Sequence, residues 1–140
     1  LNPPLVWARD RGLGVRIEVA DATELDLLDT GGSPADLFTC FQAAHHLPPG
    51  AVVRMMASGI QHASRGILIV DPYRSAGVAT GVLGMSIVTT PLPPFVHDAV
   101  QSVRRSTTPA ELELLARLAG ARHVQAWALA PAFCAVHARA

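Results

Sequence analysis

The chain has 140 residues, half of them hydrophobic and only 16% charged, so we expect a single globular domain over 1–140 with a substantial core. Eleven basic residues balance eleven acidic ones, which gives no electrostatic reason to expect a nucleic acid or an anionic membrane as partner. The two cysteines lie in apolar runs and the first residues lack the pattern of a secretory signal. Cys40 and Cys134 are therefore expected to be buried free thiols in a cytoplasmic protein.

The first half of the chain predicts three strands and one long helix, preceded by a short helix that ends at Gly12. The strands are predicted over 15–20, 35–41 and 66–70, where apolar residues alternate with polar ones or run without a break. The long helix is predicted over 48–66, because apolar residues recur at the i, i+3, i+4, i+8 spacing of one buried stripe. That stripe consists of Val52, Met55, Met56 and Ile60.

An uncharged stretch over 75–96 is long enough to raise the question of a membrane span. Its glycine, serine, threonine and proline residues argue against a span. The stretch instead predicts a buried or cleft-covering helix followed by an irregular loop.

The last third of the chain predicts two helices, over 95–106 and 106–120. Thr108 and Glu111 have the spacing of a capping box at the start of the second helix. Two final strands are predicted over 122–128 and 132–138, as a hairpin.

Alternating strands and helices with apolar strands predict a parallel α/β sheet of the doubly wound kind, into which the hairpin brings one antiparallel strand. Ligands bind such sheets outside the carboxyl ends of the strands. Three predicted strands carry polar side chains at or just after those ends. These are Asp21, then Gln42, His45 and His46, then Asp71, Tyr73 and Arg74.

The sequence resembles the class I S-adenosylmethionine-dependent methyltransferases in four pieces that follow one another in the family's order. They are VRIEVADATELD (15–26), ADLFTCFQAAHHLPP (35–49), RGILIVDPYRS (65–75) and the tail from 100 to 140. The family's glycine-rich loop after its first strand, and the acidic residue that holds the ribose, are absent from the sequence. The resemblance therefore implies the C-terminal portion of the family's domain: an incomplete doubly wound, Rossmann-like sheet with a C-terminal antiparallel hairpin.

The same resemblance implies methyl transfer from S-adenosylmethionine to a small-molecule acceptor, as part of a longer protein. Asp21, with Ala22 beside it, matches the position that accepts a hydrogen bond from the adenine amino group. Phe41 and Gln42 match positions along the methionine end of the cofactor, and Asn2 falls in the segment that follows the family's second strand. His45 and His46 match a position near the donor methyl group and the acceptor. Of the two, His46 is expected to be a general base, because an imidazole exchanges protons near neutral pH.

Several alternatives remain open for these residues. Asp21 can instead close an Asx-turn. One histidine is expected to hydrogen-bond to backbone while the other faces the pocket, and a metal site at the pair is disfavoured because no third ligand has the required spacing. Tyr73 and Arg74 either bind substrate or begin a solvated helix. For the whole chain, the rivals are a non-catalytic remnant or interaction module, and another nucleotide-binding α/β protein such as a dehydrogenase.

Overall fold

The computed structural model describes residues 11–12, 21–24, 35–89 and 93–140. Three predicted features lie outside the described residues. They are the strand over 15–20, the short helix before Gly12 and the cofactor-binding residue Asn2. Within them, the strands form a four-stranded sheet in the order β1-β2-β4-β3. The strands are β1 (Phe38–Phe41), β2 (Ile67–Pro72), β3 (His123–Leu129) and β4 (Phe133–Arg139).

β1 and β2 are parallel, whereas β4 lies between β2 and β3 and is antiparallel to both. The prediction of one antiparallel strand from the closing hairpin is therefore confirmed. The predicted bounds hold to within two residues except at β1, which begins at Phe38 rather than at 35. Ala35 makes only an isolated bridge to Ala63, and the Asp36 carbonyl accepts a hydrogen bond from Arg65 in the turn after the following helix.

Four α-helices and one 3-10 turn connect these strands in the described part of the chain. The turn is Ala44–His46, and the helices are α1 (Pro49–His62), α2 (Ala76–Thr89), α3 (Pro93–Arg105) and α4 (Pro109–Leu118). α1 was predicted to reach residue 66, but it ends at His62. Ala63 is already extended because it bridges Ala35, and Gly66 then turns the chain into β2 with a φ of +78°.

The core lies between the sheet and the two helices α1 and α4. The predicted stripe of α1 is buried in full, with Val52, Met55, Met56 and Ile60 each no more than 7% exposed. It belongs to one cluster with buried residues of α4 and the sheet, namely Leu112, Ala116, Ile67, Ile69, Cys134, Val136 and Ala138. The side chains of β2 alternate between this face and the other, so Ile67, Ile69 and Asp71 all point into the core.

α2 is a helix as predicted, but it is neither buried nor a cover for the cleft described below. Its large apolar side chains are exposed: Leu83 by 40%, Met85 by 64% and Val88 by 81%. Its uncharged residues run all round the helix without a dominant apolar face, so no single face directs it into the core. In the part of the chain that the structure describes, no helix is both long and apolar enough to cross a membrane.

Candidate functional site

The carboxyl ends of β1 and β2 lie side by side at one edge of the sheet, because the two strands are parallel. The Gln42 amide donates to the Val70 carbonyl at 2.8 Å, which extends the pairing one residue beyond β1. Gln42 has a φ of +51°, a left-handed conformation that non-glycine residues adopt only at a cost. This residue turns the backbone sharply out of the sheet and into the 3-10 turn that carries both histidines.

A buried histidine–carboxylate pair lies at this edge. His45 in the 3-10 turn has its Nδ1 3.0 Å from Oδ1 of Asp71, the inward-facing residue near the end of β2. Asp71 is fully buried and His45 is 8% exposed. Burying a carboxylate in the apolar layer of Ile67 and Ile69 is costly unless it is hydrogen-bonded. The bond to His45 satisfies Oδ1 of Asp71, whereas Oδ2 has no hydrogen-bond partner among the described residues.

The pairing decides which nitrogen of His45 is available for chemistry. When Asp71 is ionised it can only accept, and Nδ1 of His45 then carries the hydrogen of this bond. Nε2 is then an acceptor, and it has no partner among the described residues. A histidine whose Nδ1–H is held by a carboxylate has a fixed tautomer and ring orientation, and the carboxylate stabilises the imidazolium when Nε2 takes a proton.

His46 follows directly and is exposed. Its ring lies against that of His45, with centroids 4.1 Å apart and the planes tilted by 40°. The ring of His45 binds the Asp71 side chain rather than backbone, whereas the His46 backbone amide donates to the Ala43 carbonyl at 3.1 Å. The catalytic role predicted for His46 stays a prediction, and both imidazoles face the same cleft.

This cleft has a volume of about 540 Å³ and opens beside the two histidines. Such a size suits a small molecule. One part of its wall is apolar and comprises Leu47, Pro48, Pro49, Val52, Leu112 and Leu115. Another part is basic and comprises Arg74, Arg104 and Arg105. The arrangement combines a proton acceptor, an apolar wall and positive charge in one space.

Arg74 is held on the cleft wall by Glu111 at the start of α4, with which it forms an ion pair. Glu111 also accepts from the Thr108 backbone amide at 2.8 Å, while Thr108 Oγ1 accepts from the Glu111 amide, so the predicted capping box is present. The Thr108 amide, with the Thr108 hydroxyl and the nearby Arg74 charge, lowers the pKa of Glu111. Tyr73 and Arg74 do not begin a helix, because α2 starts at Ala76 and Tyr73 bridges Thr107 instead.

The residues predicted to bind the cofactor do not line this cleft. Asp21 closes an Asx-turn, with Oδ1 accepting from the amide and the hydroxyl of Thr23 at 2.8 Å each. The Thr23 amide is the main cause of the lowered pKa of Asp21. Ala22 is exposed next to it, Phe41 is 60% exposed at the end of β1, and Gln42 is exposed as well. Their role in cofactor binding stays a prediction.

Sequence reasoning placed Asp71 and both histidines at one sheet edge but missed the pairing of His45 with Asp71. The available signal was the position of Asp71, which continues the inward alternation of Ile67 and Ile69 and therefore needs a buried partner. It also missed Arg104 and Arg105, for which the sequence gives no signal beyond their place at a helix end. Across the described residues, no group of three or more His, Cys, Asp or Glu side chains could hold a metal ion.

Solved structures of methyltransferases superpose on nearly the whole chain. An inferred O-methyltransferase from Nostoc punctiforme matches with a TM-score of 0.62 and 19% identity, over 96% of this chain and 40% of its own. The plantazolicin methyltransferase BamL, solved with a desmethyl-plantazolicin analogue and S-adenosylhomocysteine, matches with 0.62 and 12% identity, over 99% and 65%. Human N-acetylserotonin methyltransferase, solved with S-adenosylmethionine, matches with 0.57 and 18% identity, over 98% and 38%.

A further similar structure is described as a pericyclic reaction enzyme, with a TM-score of 0.53 and 17% identity over 97% of this chain and 34% of its own. No protein-family model and no curated protein sequence matches the chain. The chain spans 40% of the Nostoc protein and 65% of BamL. Together with the sheet order and the single antiparallel strand, these likenesses show that the chain has the fold of the C-terminal portion of class I S-adenosylmethionine-dependent methyltransferases.

Proposed function

We propose that the protein transfers a methyl group from S-adenosylmethionine to a small-molecule acceptor, and that this chain supplies the acceptor side of the active site. The observation that carries the proposal is the buried His45–Asp71 pair, 3.0 Å apart, at the cleft beside the carboxyl ends of β1 and β2. In doubly wound sheets that edge is where ligands bind. The fold supports the choice of methyl donor, and this site supports the roles given to its residues, because fold alone does not determine chemistry.

The cofactor side of the site fits the same edge. Phe41 leaves 60% of a large apolar side chain exposed there, a surface that the methionine part of the cofactor would cover. Asp21, an acceptor-only carboxylate, would hold the adenine amino group. When bound, S-adenosylmethionine would supply an electrophilic methyl group on a sulfonium, with S-adenosylhomocysteine as the second product.

The residues of the cleft act on the acceptor. An acceptor hydroxyl donates its hydrogen bond to Nε2 of His45, which takes the proton as the acceptor oxygen forms its bond to the methyl group. Asp71 stabilises the resulting imidazolium through Nδ1–H. The apolar wall of Val52, Leu112 and Leu115 holds the body of the acceptor and excludes water, so that the acceptor stays aligned.

Replacement of His45 tests this assignment in the full-length protein. His45→Gln should lower kcat by roughly 10²–10⁴-fold, because a general base contributes about that much. S-adenosylhomocysteine released from S-adenosylmethionine in the presence of an acceptor panel is the measurement. His62→Gln is the matched control, since His62 binds the Ser58 carbonyl at the end of α1 and lies outside the cleft.

His46→Gln separates the two adjacent histidines. We expect a small effect, because His46 is exposed and has no carboxylate partner among the described residues. A large loss of turnover in His46→Gln, with near-normal turnover in His45→Gln, would assign the general base to His46, as expected from the sequence. It would reject that role for His45.

The alternative is a non-catalytic protein of methyltransferase fold. It rests on the glycine-rich loop of the resembled family, which these 140 residues do not contain. Cofactor binding discriminates the two, because an interaction module has no need of S-adenosylmethionine. Failure of the full-length protein to bind S-adenosylhomocysteine would favour the non-catalytic function.

A further inference from the structure

The cleft beside His45 concentrates positive charge that the described residues do not neutralise. Arg74, Arg104 and Arg105 line it, and no acidic side chain of the described residues does. Arg74 is paired with Glu111, whereas Arg104 and Arg105 have no hydrogen-bond or ion-pair partner anywhere in the described ranges. The charge is local, since the chain as a whole carries equal numbers of basic and acidic residues.

A purely structural explanation covers only part of this cluster. Arg104 and Arg105 lie in the last turn of α3, where a cation interacts favourably with the helix dipole. Every basic residue of the chain is an arginine, so the residue type itself carries no information about the cleft. The dipole does not explain why Arg74, from a different segment, converges on the same space. Like charges gathered around one cleft repel each other unless an anion joins them.

The carboxylates near the cleft do not neutralise all of its positive charge. Glu111 offsets Arg74, and Asp71 lies fully buried behind His45. Among the described residues neither forms an ion pair with Arg104 or Arg105, although Glu111 lines an adjoining pocket together with Arg105. Guanidinium groups bind carboxylate and phosphate oxygens through two parallel hydrogen bonds, so two exposed arginines at one rim can hold an oxyanion firmly.

The remaining wall of the cleft is apolar and indicates what the uncharged part of the ligand is like. Leu47, Val52 and Leu115 provide an apolar surface, and a volume of about 540 Å³ admits a small molecule. A ligand that matches both walls has an apolar body with a negatively charged group at one end. The imidazoles of His45 and His46 lie along the same cleft, within reach of another part of that molecule.

We propose that the acceptor is a small amphiphilic anion whose carboxylate or phosphate group is bound by Arg104 and Arg105. That the anion accepts a methyl group rests on the proposed function. Binding of the anion does not depend on catalysis. Arg104 and Arg105 are positioning residues: they orient the anion so that a hydroxyl at its other end approaches Nε2 of His45.

Equilibrium binding to the full-length protein tests the proposal with probes that differ in charge and little in shape. The probes are 4-hydroxybenzoate, phenyl phosphate and the neutral 4-hydroxybenzamide. Hydrogen bonds to charged groups are the stronger kind, so at least one anion should bind about tenfold more tightly than the amide. That preference should shrink as salt is raised, because exposed charges are screened.

Variants locate the binding site. The double variant Arg104→Gln/Arg105→Gln should bind anion and amide equally. Its melting temperature should fall only slightly, because both side chains are exposed and lose only their interaction with the helix dipole. Arg117→Gln removes the same kind of charge from α4, where Arg117 pairs with Glu113 away from the cleft, and should keep the preference. The better of the two anions distinguishes a carboxylate from a phosphate ligand.

Three outcomes would overturn the proposal: no preference for either anion over the amide, a preference that survives in the double variant, or no binding of either anion at millimolar concentration by folded protein. Loss of methyl transfer in His45→Gln with the anion preference intact would support both proposals. An anion preference without any turnover or cofactor binding would reject the proposed function and retain the anion site.

Discussion

Gly66 occupies a position between α1 and β2 that admits no side chain. Its φ is +78°, and a Cβ built there would lie 2.1 Å from the Ala138 carbonyl oxygen and 2.9 Å from the Cα of Arg139. Both neighbours are backbone atoms of β4 and cannot move without disturbing the sheet. We expect Gly66→Ala to lower the free energy of unfolding by more than the roughly 1–2 kcal/mol of left-handed strain alone. Urea unfolding measures the difference.

Alanine substitutions at two other glycines distinguish backbone strain from steric clash with β4. Gly120 has a φ of +90° but open space around it, so Gly120→Ala should lose only about 1–2 kcal/mol. Gly84 lies exposed within α2 with nothing near its Cβ position, so Gly84→Ala should stabilise the protein by up to about 1 kcal/mol. A loss at Gly66 no larger than that at Gly120 would contradict the close approach of β4.

The two thiols should react slowly in the folded protein. Burial raises the pKa of Cys134, which is fully buried, and of Cys40, which is partly buried, so little thiolate forms near neutral pH. With folded pKa values above the ordinary 9.0, their contribution to stability is intact below pH 9 and declines as the pH rises through those values. Disulfide exchange with a chromogenic reagent at pH 8 should label Cys40 before Cys134, and both at once in urea. Equal labelling rates of the remaining thiol in folded Cys40→Ala and folded Cys134→Ala would contradict this order.

At the scale of the element, α4 depends on its capping box. Thr108→Ala removes the acceptor for the Glu111 amide and should lower the free energy of unfolding by about 0.5–2 kcal/mol. Glu111→Gln should also destabilise, in a pH-dependent way. Because the folded pKa of Glu111 is lowered from 4.5, its contribution is complete above that pH and is lost as the pH falls through the folded value.

Glu113→Gln is the matched control for this helix. Glu113 also pairs with an arginine, Arg117, but makes no cap contact and has a half-exposed side chain, so its removal should cost about 0.3–0.5 kcal/mol or less. Thermal melts between pH 3 and pH 7 should show the difference between wild type and Glu111→Gln narrowing in acid. An equal, pH-independent effect of the two substitutions would exclude the cap as the cause.

At the scale of the whole molecule, we expect the 140-residue chain by itself to bind S-adenosylhomocysteine weakly. Its sequence contains Asp21 and Ala22 for the adenine but no glycine-rich loop for the rest of the cofactor. Several missing hydrogen bonds at roughly 1 kcal/mol or more each move a micromolar site into the millimolar range.

Isothermal titration measures that affinity. Asp21→Ala should abolish any residual binding, whereas Asp98→Ala, an exposed carboxylate on α3, should not change it. Low-micromolar binding that depends on Asp21 would show that the chain holds more of the cofactor site than its sequence indicates. Clear binding indifferent to Asp21→Ala would remove Asp21 from the cofactor site.

The sequence by itself determined the local features of this protein. The period of Val52, Met55, Met56 and Ile60 identified the buried face of α1, because a helix can bury only one stripe against a sheet. The spacing of Thr108 and Glu111 identified the start of α4, since a capping box is made within one turn. The unbroken apolar run from Ile67 to Val70 identified the strand β2.

The tertiary structure alone decided the site. His45 and His46 are equivalent in sequence, and only the 3-10 turn behind Gln42 directs one ring to Asp71 and leaves the other exposed. The convergence of Arg74 with Arg104 depends on how α3 packs, which no local pattern encodes. Periodicity reports which side of an element is apolar, whereas a site arises where separate elements meet, and that meeting is fixed by the packing of the whole core.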